Sequence, residues 1–178
     1  MSISSPWVKF WPAWVMANTF GWMAYNIVFI LPFFRSLAGL CIGFLIAALQ
    51  WAVLSQYIDV DMMWPWVSVL PYGLLLFVIT LLGDKLSYLA LFFVEALILG
   101  AFGYLQSSIL RNYVNFALIW VVASPLAAII GTMTARAADQ ILFPRADGPS
   151  VLFWALMGLI YGGITGIVLI FLNNSEDI

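Results

Sequence analysis

The chain has 178 residues, 65% of them hydrophobic and 8% charged, with a formal net charge of −2. Soluble domains carry about 25% charged residues, and a globule this small has too little interior to hide so much apolar surface, so the composition implies lipid as the solvent. The absence of histidine removes the commonest metal and haem ligand, the lone Cys41 excludes an internal disulfide or a cysteine metal cluster, and the lack of a basic patch argues against nucleic acid as a partner.

A hydrocarbon core of about 30 Å requires roughly 20 helical residues. Six segments meet that length: Trp11–Leu31, Ser36–Ser55, Met62–Leu82, Leu86–Leu110, Tyr113–Ala135 and Ser150–Leu172. The first follows Lys9, as a signal peptide would. It contains Asn18 and Asn26, however, and reaches Leu31-Pro32 without a small-residue cleavage site, so it is read as a retained span. The connectors are short and carry most of the charges, at Arg35, Asp59-Val60-Asp61, Gly83-Asp84-Lys85, Arg111-Asn112 and the longer Arg136–Pro149. Runs this long without alternation exclude a barrel. In lipid the backbone must satisfy its own hydrogen bonds, so the expectation is one all-α integral membrane domain over 1–178. Trp7, Trp11, Tyr57, Trp64, Trp66, Tyr88, Tyr113 and Trp154 gather near the span ends, where interfacial anchoring is their simplest role. Arg35, Lys85, Arg136 and Arg145 fall on one side and Lys9 and Arg111 on the other, which leans toward both termini being non-cytoplasmic. The membrane expected is of bacterial type, a plasma membrane or an internal photosynthetic one.

Fixed offsets run through the chain. Gln50, Leu54 and Tyr57 return 56 residues later as Gln106, Leu110 and Tyr113, and Trp64 and Ser68 return as Trp120 and Ser124. The odd spans share a tryptophan followed four residues on by a small polar group: Trp14/Asn18, Trp64/Ser68 and Trp120/Ser124. Residues four apart share a helical face. The even spans share small-residue stripes: Gly39, Gly43 and Ala47; Ala96, Gly100, Gly103 and Ser107; Gly158, Gly162 and Gly166. Helices in lipid associate by close van der Waals contact, which small residues permit, so these stripes are expected to face other helices. The pattern predicts three helical hairpins, roughly 11–57, 62–113 and 117–172, in parallel around a pseudo-threefold axis along the membrane normal. The third unit fits with a shifted offset, Thr165 standing where Gln50 and Gln106 stand. Accidental matches in a tryptophan-rich composition are the competing explanation.

The run Gln50-Trp51-Ala52-Val53-Leu54, closing the glycine-rich stretch from Gly39, and the run Tyr161-Gly162-Gly163-Ile164-Thr165-Gly166 resemble a group of uncharacterised bacterial multi-span membrane proteins. Ser55 replaces the basic residue that follows the first run in that group, while Arg111 keeps it after the second copy. The resemblance implies architecture and carries no activity.

Glu95 is the one acid deep in a span, where a charge costs a few kcal/mol. Gln106 lies about three turns further along the same helix, and Gln50 falls on the packing side of its own. Glu95, Gln106 and Gln50 are therefore expected to look inward, with Asn18, Ser68 and Ser124 as partners across helices. Such a position either binds a proton or solute, with Glu95 as its ionisable member, or is interhelical glue. Glue is preferred because no basic partner lies in the spans. Pro71 and Pro125 are expected to bend their helices, with Ser68 and Ser124 available to the freed carbonyls. The segment Arg136–Phe143 either continues the fifth span or lies on the membrane surface until Pro144 stops it.

No phosphate-binding loop and no serine–histidine or cysteine–histidine pair is present, so no enzymatic activity, cofactor or metal is expected. Three classes remain. An accessory or assembly subunit of a larger membrane complex, with other membrane subunits as partners, is preferred for the short loops and missing catalytic set. The second is a small transporter or substrate-capturing component built around Glu95, resembling the substrate-binding subunits of vitamin-uptake transporters in size alone. The third is a pigment- or lipid-binding protein, which the aromatic content permits.

Overall fold

The computed structural model describes the backbone of residues 6–24, 26, 35–70, 74, 88–144 and 149–174, and the side chains of 9–24, 26, 40–70, 74, 94, 97–144 and 149–173. Among these residues every regular element is a helix. In chain order they are α1 (Pro6–Met23), α2 (Arg35–Leu54), α3 (63–70), α4 (Tyr88–Leu110), α5 (Ile119–Leu142) and α6 (Val151–Asn174). Two of them are long and apolar enough to cross a membrane, Ile119–Leu142 and Val151–Asn173, and Leu40–Leu54 and Leu97–Leu110 are shorter apolar stretches.

Two expected boundaries are corrected. The first helix starts at Pro6, before Trp11, because proline is pre-organised for a first helical turn. The fifth starts at Ile119 rather than Tyr113 and continues past Ala135 to Leu142. Residues 111–118 form a hydrogen-bonded turn in which Phe116 takes φ 55°, so the helix cannot begin earlier. Of the two alternatives for Arg136–Phe143, continuation of the helix is the one observed; Phe143 is its C-cap and Pro144 follows. The third expected span falls mostly outside the described residues beyond Leu70, and so does Pro71.

The two turns that end α2 and α4 have the same backbone bonding at the offset of 56. Ser55 N–H bonds Trp51 O at 2.8 Å and Arg111 N–H bonds Ser107 O at 2.9 Å. Tyr57 and Ile58 both donate to Leu54 O, as Tyr113 and Val114 do to Leu110 O, all within 2.8–2.9 Å. Trp64 N–H reaches Asp61 O and Trp120 N–H reaches Ala117 O, each at 3.0 Å. The repeated residues therefore sit in repeated backbone.

Neighbours in the chain are neighbours in space. α1 packs on α2 and α6, α5 packs on α4 and α6, and α3 meets α2 through Phe44 and Trp66, whose ring centroids are 5.3 Å apart. The core has two apolar layers. One gathers Phe10, Trp14, Leu54, Trp64, Leu110, Trp120 and Leu172. The other gathers Trp22, Ile46, Leu99, Phe102, Ala128, Phe153 and Met157. Each layer takes opposite ends of successive helices, so the chain runs alternately up and down.

The outward faces carry large apolar side chains. On α5 the exposed stripe is Val122, Leu126, Ile130 and Met133, while Trp120, Ser124, Ala127, Ala128, Gly131 and Ala135 are buried. Apart from Trp120, small and polar groups lie inside and bulky aliphatic ones outside, the reverse of a soluble helix.

At the start of α6, Ser150 Oγ accepts from Phe153 N–H at 3.2 Å and donates to the Asp139 carboxylate, which also accepts from Ser150 N–H at 3.4 Å. Ser150 is thus an N-cap tied to the last turns of α5. Ser150→Ala is expected to lower stability by about 0.5–2 kcal/mol, read as the shift of the thermal unfolding midpoint in micelles. Asp139→Asn, which keeps an acceptor, is expected to cost less; the opposite order would refute the role given to the serine.

Candidate functional site

Among the described residues, seven polar ones are buried in the bundle: Asn18, Gln50, Ser68, Gln106, Ser107, Ser124 and Thr165. Five of them are candidates named from the sequence, and the structure places these in two runs of hydrogen bonds, one through α2, α1, α6 and α5 and one through α5, α4 and α3. Gln50 Nε2, on α2, donates to Asn18 Oδ1 on α1 at 2.7 Å. Asn18 Nδ2 donates to the Trp14 carbonyl at 2.9 Å. Trp14 Nε1 crosses to Thr165 Oγ1 on α6 at 2.9 Å, and Thr165 in turn donates to the Tyr161 carbonyl at 2.7 Å. The Tyr161 and Ser124 hydroxyls share a 3.0 Å bond between α6 and α5. One turn back on α5, Trp120 Nε1 donates to Gln106 Oε1 on α4 at 2.8 Å, and Gln106 Nε2 donates to Ser68 Oγ on α3 at 2.9 Å.

One rule is met in full at the Gln106 joint and in part at the other two. A side chain on an even helix bonds the small polar residue of the preceding odd helix and accepts from the tryptophan of the next one. Gln106 does both, between Ser68 and Trp120. Thr165 accepts from Trp14, and its neighbour one turn back, Tyr161, meets Ser124. Gln50 bonds Asn18, while its Oε1 and the indole N–H of Trp64 are buried without a hydrogen-bond partner among the described residues. These are the acceptor and donor that the rule pairs at the third joint.

Three tryptophans fill the space between the odd helices. Trp14, Trp64 and Trp120 are each fully buried, and the Trp14–Trp120 and Trp64–Trp120 ring centroids are both 6.4 Å apart. Aromatic pairs at this spacing add to the burial of their area.

The glycine stripe of α6 brings it against α1. A Cβ on Gly158 would stand 2.7 Å from Asn18 O, one on Gly162 3.0 Å from Val15 Cα, and one on Gly166 3.0 Å from the Trp11 and Trp14 rings. Gly103 does the same for α4 on α5, with Val121 Cα at 3.1 Å. Gly43 is buried. A Cβ on Gly100 would meet nothing within 4 Å among the described residues. Gly100 lies three residues before Gly103, about 60° away around the helix, which turns it off the contact with α5.

Glu95 and Gly39 lie in helical backbone but outside the described side chains. A correction concerns Ser124, whose hydroxyl bonds Tyr161 rather than a carbonyl freed by Pro125. Sequence reasoning passed over Tyr161 as a member of the site. Its signal is the four-residue spacing to Thr165, the same spacing that marked the tryptophan pairs. Gly21 was likewise missed; its Cβ would meet Ile46 Cγ1 at 2.8 Å and Ile46 Cα at 3.2 Å, so α1 and α2 pack closely there.

Compared with protein-family models, with curated proteins and with solved structures, the chain matches none, so its reading rests on its own residues.

Proposed function

We propose that the protein is a six-span membrane-embedded bundle of three tandem helical hairpins that acts as a non-catalytic accessory or assembly subunit of a larger membrane complex. Two features support the architecture. Turns 56 residues apart share their backbone bonds, and the outward faces of the helices carry bulky apolar side chains while polar ones are internal. With hydrocarbon outside, the buried amides and hydroxyls must find partners within the bundle, and such contacts hold helices together in lipid.

The observation that carries the subunit reading is how the polar residues are used. Asn18, Gln106, Ser124 and Thr165 bond across helices around a centre filled by three indole rings. A solute-binding bundle needs polar groups aimed at open space. Here they are aimed at each other, so the inward site acts as glue and the apolar outer faces are left for lipid and neighbouring subunits. Gentle solubilisation followed by native sizing and mass spectrometry tests this. A defined set of co-purifying membrane proteins in fixed ratio is expected. A free chain that carries a small solute or a visible chromophore would overturn it.

A further inference from the structure

The two matching turns carry opposite chemistry. Where the first has Ser55 and Asp59, the second has Arg111 and Asn115. Beside the second turn, between the end of α4 and the start of α5, lies a cleft of about 470 Å³ lined by Tyr104, Ser108, Arg111, Asn115, Leu118 and Ile119, among others. Arg111 and Asn115 are exposed, and the guanidinium has no acidic partner among the described residues. The Ser108 hydroxyl donates to the Leu105 carbonyl, so the strong donors free to meet a ligand are the Arg111 guanidinium, the Asn115 amide and the Tyr104 hydroxyl. One wall is apolar and open to the outside, with Leu118 72% and Ile119 42% exposed. The cleft also sits at the N-terminal end of a 24-residue helix, the positive end of its macrodipole.

A cation and two neutral donors on one side, with an exposed aliphatic wall on the other, fit a molecule that has an anionic oxygen-rich head and an apolar tail. Arginine forks match phosphate oxygens bidentately. The cleft lies where the apolar stretches Leu97–Leu110 and Ile119–Leu142 meet their connecting turn, which is head-group depth if these helices span a bilayer. We propose that this cleft holds the phosphate of one anionic phospholipid, with an acyl chain running along Leu118 and Ile119. The inference rests on the membrane reading above. It assigns the second of the two matching turns a lipid contact that the first, with Asp59 at the equivalent of Asn115, repels.

The test uses the full chain in nanodiscs of equal phosphatidylglycerol and phosphatidylcholine with matched acyl chains, released into native mass spectrometry. One phosphatidylglycerol per chain is expected to be retained, with a preference of about fivefold, the factor given by about 1 kcal/mol per basic residue at a lipid surface. Arg111→Gln should abolish the preference. Arg136→Gln, which removes an exposed arginine from the other end of α5, should keep it. Equal retention by Arg111→Gln and the unaltered chain, or equal loss in both variants, overturns the site. Displacement of the lipid by millimolar inorganic phosphate also overturns it, because the free anion would then be the ligand. Alkaline carbonate extraction of the vesicle-bound chain separates the two levels: a chain released to the supernatant refutes the membrane reading itself, whereas a retained chain with no lipid preference refutes only the cleft.

Discussion

Gly158→Ala is expected to be the most damaging single-atom change in the bundle, lowering stability by about 1–3 kcal/mol through overpacking. The added Cβ would stand 2.7 Å from Asn18 O and 2.8 Å from Thr19 Cα. Both are backbone atoms of α1, so no side chain can rotate out of the way and the two helices must move apart. That separation reaches further than the contact itself. Trp14 on α1 bonds Thr165 on α6, about two turns from Gly158, and a rigid displacement stretches this link. Gly163→Ala and Gly100→Ala are the controls, because a Cβ at either meets nothing within 4 Å among the described residues. Both should be neutral or raise stability by up to about 1 kcal/mol through better helix propensity. Thermal unfolding in one detergent, followed by tryptophan fluorescence, ranks the three. A Gly158→Ala protein as stable as the unaltered chain, or a Gly163→Ala protein equally weakened, would show that α6 does not meet α1 along this stripe.

The polar chain was legible in the sequence for a physical reason. In a mostly hydrophobic chain, an amide or hydroxyl inside an apolar run has few possible partners besides another such group. Trp14/Asn18, Trp64/Ser68 and Trp120/Ser124 stood out by their four-residue spacing, and Gln50 and Gln106 by their common offset; the network is built from these groups. Thr165 was visible only through a shifted offset, yet it accepts from Trp14 as Gln106 accepts from Trp120. What stayed hidden is of a different kind. Past Arg111 and Asn112 the turn at 111–118 has one polar residue, Asn115, and Val114 and Ala117 are buried, so composition gave little sign that the helix waits until Ile119. A stripe of small residues reports a face only to within part of a turn, so Gly103 and Gly100 look alike in sequence while only Gly103 meets a backbone. The missing bond at Gln50 and Trp64 could not be anticipated either, since both residues obey the repeat and differ only in how their helices are set.

That difference yields the second large effect. Gln106→Leu removes the acceptor of Trp120 Nε1 and the donor to Ser68 Oγ together. Interhelical hydrogen bonds in membranes average about 0.6 kcal/mol and reach about 1.7, so two lost bonds should cost about 1–3 kcal/mol. Gln50→Leu removes one bond, to Asn18, and its Oε1 has no hydrogen-bond partner among the described residues, so it should cost about half as much. Leucine conserves most of the volume, which keeps cavity formation out of the comparison. The decisive quantity is the coupling energy, since a cycle cancels what each substitution does alone. Gln106→Leu combined with Trp120→Phe should show a coupling of about 0.6–1.7 kcal/mol. Gln50→Leu combined with Trp64→Phe should show coupling close to zero, although the two pairs occupy equivalent places in the repeat. Coupling at Gln50 and Trp64 as large as that at Gln106 and Trp120 would mean that the third joint is closed like the others, and that the bundle is more symmetric than its hydrogen bonds indicate.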